Sequence, residues 1–190
     1  MNTLRTIIET YRKTSNEYIL APFKCTHNGK SGYDAFDAQY WIRKELIVEL
    51  YSDYTISDKP LIKWLLQEEQ KGIEFDIPLY TTDICAFMLY KHMSTDDVYE
   101  LFHAKFGGKT DRQIYLDIEL IFGFDRIQMK EYLKNKSTNI DLNKEILKTI
   151  EYYESNPDAS FKSREEYIQY FETKKINIIR NHLESTEDFF

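Results

Sequence analysis

The chain has 190 residues, of which 42% are hydrophobic and 30% charged, and it contains only six Gly and four Pro. This length and composition support a packed core without a metal or a disulfide, which excludes global disorder, and the scarcity of turn residues argues against a β-sandwich. The net charge of −7 excludes a protein that binds nucleic acid through a basic stripe. Most of the excess acid lies in residues 137–190, where eleven Asp and Glu stand against seven Lys and Arg.

The N-terminal part of the chain predicts one helix followed by an irregular segment. Apolar residues recur at helical intervals across residues 3–14, namely at Leu4, Ile7, Ile8 and Tyr11. Residues 15–34 contain Pro22 and the turn signal Asn28-Gly29. A small β-hairpin near residues 17–33 and a long loop are both compatible with this pattern.

Two further helices are predicted before residue 80. The first extends from about Asp34 to Tyr51. The second is capped by Ser57 and carries Pro60 in its first turn, where the missing N–H has no helical partner to lose. Gly72 ends this helix, and the residues up to Tyr80 are predicted to be extended or looped.

Four apolar segments then follow one another, and we predict that they form the core. Each begins near an aspartate, at Asp83, Asp97, Asp111 and Asp125. Asp is a favoured helix cap because its carboxylate accepts hydrogen bonds from the free N–H groups of the first turn. In the third segment, Ile114–Phe122, apolar residues cover most sides, so we expect this helix to lie at the centre of the protein.

The last third predicts two more helices after a polar break at residues 137–141, which is the candidate for a minor internal boundary. Leu142, Ile146, Ile150 and Tyr153 form an apolar stripe on the first of these helices. A capping box of Ser163 and Glu166 opens the last helix, whose apolar pattern is interrupted by Lys174-Lys175. The acidic and aromatic tail Glu187–Phe190 is a candidate recognition segment.

Together these patterns predict an all-α protein. We expect a single helical domain over residues 1–190, built of about eight or nine helices in an irregular bundle or short helical array. The N-terminal residues lack the pattern of a signal peptide, and no stretch approaches about 18 consecutive apolar residues, so a cytoplasmic protein without a membrane span is expected. Cys25 and Cys85 fit no metal-binding spacing and are expected to be reduced thiols.

No sequence motif makes a convincing catalytic or metal-binding set, so we predict no catalytic residues, no metal and no cofactor. The segment Gly29-Lys30-Ser31 lacks the first glycine of a phosphate-binding loop. The pair Glu100 and His103 occurs once, whereas di-iron bundles use that spacing twice. Cys25 and His27 are two residues apart in a predicted loop, without a third group to orient them.

The remaining signal is an acidic, tyrosine-rich C-terminal third. Fifteen tyrosines exceed what a small core can satisfy with hydrogen bonds, so several should be exposed, and tyrosine is favoured at protein interfaces. We therefore predict a non-catalytic binding or inhibitor protein, of the type that confers immunity by neutralising a basic partner such as a toxin nuclease. The predicted partner-binding residues are Glu151, Tyr152, Glu154, Glu165, Glu166, Tyr170 and Glu172.

The alternative hypothesis is a small helical enzyme or ligand-binding protein. It requires a pocket lined by Tyr, His and acidic side chains around His92, His103 and Asp117.

Overall fold

A computed structural model describes residues 3–72, 75, 77–108 and 110–187. Within these residues the chain forms eleven α-helices and no β-strand, which confirms the predicted all-α class at a helix count slightly above the eight or nine expected. None of the helices in these ranges is long and apolar enough to cross a membrane. The helices are α1 (Thr3–Thr14), α2 (Tyr40–Tyr51), α3 (Lys59–Lys71), α4 (Tyr80–Lys91), α5 (Val98–Phe106), α6 (Thr110–Tyr115), α7 (Glu119–Phe122), α8 (Arg126–Asn135), α9 (Ile140–Glu154), α10 (Arg164–Tyr170) and α11 (Ile176–Glu187).

Helix α4 is the centre of the fold. Its residues 81–90 are all buried, and it packs against α2, α3, α5, α7 and α11. A helix that is buried on every side needs neighbours on every side, and α4 receives them from both halves of the chain. The other elements, including those that form the clefts described below, are arranged around it.

The prediction of a central helix over Ile114–Phe122 is wrong. Ile114 is 80% exposed, and the segment is divided into α6, which ends at Tyr115, and α7, which begins at Glu119. The Nζ atom of Lys105 donates hydrogen bonds to the carbonyls of Gln113 and Leu116. Carbonyls that accept hydrogen bonds from a lysine side chain need no N–H partner from a further helical turn, so α6 can end at this point.

The segment after α1 is a loop with short 3₁₀ turns and does not contain the β-hairpin that the sequence left open. Residues Glu17–Phe23 form a 3₁₀ helix, and a single antiparallel bridge joins His27 to Asp37. Helix α2 begins at Tyr40, later than the predicted Asp34. The cause is Asp37, whose Oδ1 atom accepts hydrogen bonds from the backbone N–H groups of Thr26 and Gln39 and so fixes the loop up to that point.

The four predicted aspartate caps have different outcomes. Asp125 is a true cap of α8 and accepts hydrogen bonds from two N–H groups of the first turn. Asp97 closes a capping box with Ser94 just before α5, and Asp111 lies in the first turn of α6. Asp83 was predicted wrongly, because it lies inside the first turn of α4 and is completely buried.

The C-terminal helices follow the sequence pattern until residue 170. Residues 136–139 connect α8 to α9, so the predicted break at residues 137–141 overlaps the first turn of α9, and the two helices pack against each other. The predicted capping box of Ser163 and Glu166 is present at the start of α10. Residues Phe171–Lys175 then form a π-helical turn that joins α10 to α11, and Phe171 stacks on Phe87 of α4 at a centroid distance of 3.8 Å. The predicted recognition tail Glu187–Phe190 lies largely outside the described residues.

Candidate functional site

Two clefts border the loop that leads into α10, and they bring several of the predicted partner-binding residues together. The first, which we call the inner cleft, has a volume of about 360 Å³ and is lined by Tyr90, Glu119, residues 122–126 and residues 161–166. The second, which we call the outer groove, has a volume of about 460 Å³ and is lined by residues 160–162, Glu166, Gln169, Tyr170, Thr173 and Lys174. Glu165 and Glu166 therefore face the inner cleft, and Glu166 and Tyr170 face the outer groove.

The wall of the inner cleft depends on a turn at Gly123. This residue has φ +68°, and its carbonyl accepts a hydrogen bond from the Tyr90 hydroxyl at 3.2 Å. A Cβ atom at this position would lie 2.3 Å from the Cε atom of Met129. Glycine is therefore required both by the left-handed backbone and by the contact, and the turn leaves the Phe124 side chain 46% exposed at the cleft.

The three cationic side chains of the inner cleft, those of Arg126, Lys162 and Arg164, each contact other groups of the protein. Arg164 Nη2 donates to the carbonyls of Tyr90 and Lys91 at the end of α4, at 3.1 and 3.0 Å. Arg126 lies over the Phe122 and Phe161 rings, and Lys162 Nζ lies 3.5 Å from Glu119 Oε1.

The cleft lining as a whole carries more acid than base. It contains four carboxylates, those of Glu119, Asp125, Glu165 and Glu166, against the three cations. Glu165 is exposed and forms no ion pair with any described residue, so its full charge faces solvent. The inner cleft is therefore weakly acidic with an exposed aromatic ring, which suits a cationic side chain attached to an apolar surface.

The predicted residues on α9 are divided between free and engaged side chains. Tyr152 is 74% exposed, and Glu151 is exposed on the same helix. Glu154, in contrast, pairs with Lys130 at 2.6 Å and lies 3.9 Å from Arg126. Glu154 therefore contacts the inner cleft only indirectly, through Arg126 in its lining.

Two of the predicted acids on the C-terminal segment have local structural roles. Glu166 Oε2 accepts the backbone N–H of Ser163 at 2.8 Å, and this hydrogen bond lowers the pKa of Glu166. Glu172 pairs with Lys91 at 2.5 Å. The Tyr170 ring is half-buried, with Lys162 Nζ 4.5 Å from its centroid. The free part of the predicted surface is thus Glu151, Tyr152 and Glu165.

The residues of the alternative hypothesis have separate surroundings. His92 packs edge-on against Tyr54, and burial lowers its pKa. His103 is exposed on α5, whereas Asp117 accepts hydrogen bonds from Tyr167 and Lys175. None of His92, His103 and Asp117 lines the inner cleft or the outer groove.

The two cysteines have no reactive setting. Both are free thiols, and Cys85 is buried. Burial raises the pKa of Cys25 to about 12, so it stays protonated at neutral pH and is a poor nucleophile. The neighbouring His27 uses its Nδ1 atom to accept the backbone N–H of Gly29. In the described part of the chain, no group of three or more His, Cys, Asp or Glu is arranged to hold a metal ion.

Sequence reasoning missed two buried centres of charge. In one, Arg43 joins Asp37 and Glu69; in the other, Lys175 joins Asp83 and Asp117. All of these residues interrupt otherwise apolar helices or lie next to them, and Lys175 was visible only as a break in the apolar pattern of the last helix. Charged residues at positions where the pattern demands an apolar side chain are the signal that could have found them.

Comparison with known protein families, with curated proteins and with solved structures finds no match to this chain.

Proposed function

We propose that this chain is a non-catalytic cytoplasmic protein that binds and occludes a basic protein partner, as an inhibitor of the immunity type does with a toxin nuclease. The observation that supports it best is the inner cleft, whose cations are engaged internally and whose Glu165 carboxylate is free. Acidic surfaces attract basic partners over a Debye length, so association should be fast at low salt and slower at high salt.

Aromatic side chains beside the free acids supply the contact area that charge alone does not. Phe124 at the inner cleft and Tyr152 on α9 are both large, stiff and exposed. Rings of this kind bury much apolar area at a low cost in side-chain entropy, which is why aromatic residues dominate the energetics of protein interfaces. A partner with Arg or Lys next to an apolar patch fits this combination.

The test is affinity capture from the source organism at low salt, with a charge-reversal variant and a matched control. Glu151→Lys combined with Glu165→Lys removes the two free acids without touching the ion pairs of Glu154 or Glu172. The control is Glu17→Lys combined with Asp34→Lys, because both acids are exposed, neither forms an ion pair with a described residue, and neither lines the inner cleft or the outer groove. Both variants should keep the wild-type circular dichroism spectrum.

A basic protein should be captured by the wild type and by the Glu17→Lys, Asp34→Lys control, and the Glu151→Lys, Glu165→Lys variant should capture at least tenfold less of it. Raising the salt concentration should weaken the capture of the basic protein. Capture of no protein, or of a partner that the double variant retains in full, contradicts the proposal.

A further inference from the structure

The centre formed by Asp83, Lys175 and Asp117 attaches the C-terminal helices to the middle of the fold. Lys175 Nζ lies 2.7 Å from Asp83 Oδ2 and 2.6 Å from Asp117 Oδ2, and it reaches the carbonyl of Tyr115 at 3.4 Å. Asp83 belongs to α4, Asp117 to the connection between α6 and α7, and Lys175 to the π turn. One ammonium group thus joins three parts of the chain.

The π turn is what directs Lys175 inward. Such turns are rare and frequently lie at functional sites. Here the turn Phe171–Lys175 places Phe171 on Phe87 and Lys175 on Asp83, both contacts being made to α4. The C-terminal segment, residues 164–187, is therefore fastened to α4 at this point.

The Asp83 carboxylate is poorly compensated for a charge in the core. Its side chain is fully buried, and its Oδ1 atom accepts no hydrogen bond from any described residue. Burial raises the pKa of Asp83 to about 6, even though Lys175 acts in the opposite direction. Asp117 is different, since its side chain is 27% exposed and remains in contact with water.

Other charged and titratable groups approach the centre from every neighbouring helix. Lys105 of α5 donates to carbonyls of residues 113 and 116, and burial lowers its pKa to about 8. Arg43 and Glu69 bind each other beside the start of α4. The remaining groups are Tyr80 of α4, Tyr115 of α6, Glu119 of α7, Tyr167 and Tyr170 of α10, and His182 of α11, which stacks on Tyr80.

We propose that the Asp83–Lys175–Asp117 centre is a proton-controlled latch, which holds residues 164–187 firmly against α4 when it binds a proton and loosens them as the pH rises. In the docked state the Asp83 carboxylate is removed from water, whereas detachment of the segment would hydrate it. A proton therefore binds the docked state better than the detached one, and by linkage it favours docking. This latch does not depend on the proposed function.

The size of the effect follows from the two proton affinities. With a pKa of about 6 when docked and the ordinary 3.8 when hydrated, detachment increases about tenfold between pH 5 and pH 7.5. Above pH 7.5 the dependence levels off, because Asp83 is then ionised in both states. Below about pH 3 it levels off again, because Asp83 is then protonated in both states.

Amide hydrogen exchange on the full-length chain tests the latch. After correction for the intrinsic exchange rate, the opening equilibrium of the α11 amides should increase about tenfold from pH 5 to pH 7.5, while amides of α9 serve as an internal reference. Asp83→Asn should abolish this pH dependence, and His182→Gln should retain it. The two variants together separate the contribution of Asp83 from that of the histidine on α11. Exchange that is flat or slower at higher pH in the wild type, or a dependence that Asp83→Asn retains, overturns the proposal.

A second measurement on the wild type covers the case in which Asp83→Asn does not fold. The side-chain carboxyl ¹³C signal of Asp83 should titrate between pH 5 and pH 7. A midpoint near the ordinary value for aspartate would equally overturn the latch.

Discussion

Arg43 offers the most direct test of how the fold is held together. Its Nε lies 2.6 Å from Glu69 Oε1, its Nη2 lies 2.6 Å from Asp37 Oδ2, and its Nη1 donates to the Phe23 carbonyl at 3.2 Å. All three charged side chains are fully buried. Burial alone would lower the pKa of Arg43, but Glu69 and Asp37 raise it, so the guanidinium stays charged.

Replacing Arg43 with Met keeps the apolar stem and removes the charge. Two carboxylates would then remain in the core without a cation, and breaking a buried pair in this way costs about 3–5 kcal/mol. For a chain of this size each kcal/mol changes the melting temperature by about 2–4 °C, so a decrease of about 6–20 °C is expected at pH 7.5.

The assay is urea and thermal unfolding followed by circular dichroism. Lys144→Met is the control, since Lys144 and its partner Asp141 are both exposed and 3.5 Å apart, and its midpoint should not change. Adding Asp37→Asn and Glu69→Gln to Arg43→Met should recover part of the lost stability. If Arg43→Met unfolds within 1 kcal/mol of the wild type, the reasoning is refuted, because water must then reach the two carboxylates.

Two other predictions concern the segment between α6 and α8. Leu120→Ala should lower the free energy of unfolding by about 2–5 kcal/mol, because Leu120 is buried. Ile114→Ala should change it by less than about 0.5 kcal/mol, because Ile114 is exposed. Equal losses for both variants in urea unfolding would instead support a single buried helix over residues 114–122. Gly123→Ala should lower it by about 2–4 kcal/mol, because the new methyl group meets Met129 and the backbone is left-handed. Gly29→Ala, at φ +80° with open space around it, should lose only about 1 kcal/mol, and a similar loss for both variants would show that the Met129 contact is unimportant.

Local signals predicted much of this fold. The amphipathic pattern located α1, which spans Thr3–Thr14, and the Ser163–Glu166 box located the start of α10. Pro60 lies in the first turn of α3, as predicted. These features are decided by side chains within a few residues of each other, so they can be derived from the sequence alone.

Contacts between distant parts of the chain decided the features that were missed. Ile114–Phe122 has an apolar pattern suited to a buried helix, but Lys105 and Lys175 capture carbonyls of residues 113–116 and end α6 early. The inner cleft likewise depends on Arg126 and Arg164 contacting rings from other elements. No periodicity within one helix contains this information.

The buried ion pairs of the core affect more than the stability of the fold. A well-packed apolar set of similar volume is often as stable as a buried ion pair, or more stable, so centres such as Asp83–Lys175 are not explained by stability. We infer that they supply register, because Lys175 reaches both Asp83 and Asp117 from the π turn while α11 packs against α4. The outer groove is built on the same segment, because Lys174 of the π turn and Tyr170 just before it lie in its wall. Since the buried charge and the outer groove belong to one short helical segment, we expect a substitution at Lys175 to affect both.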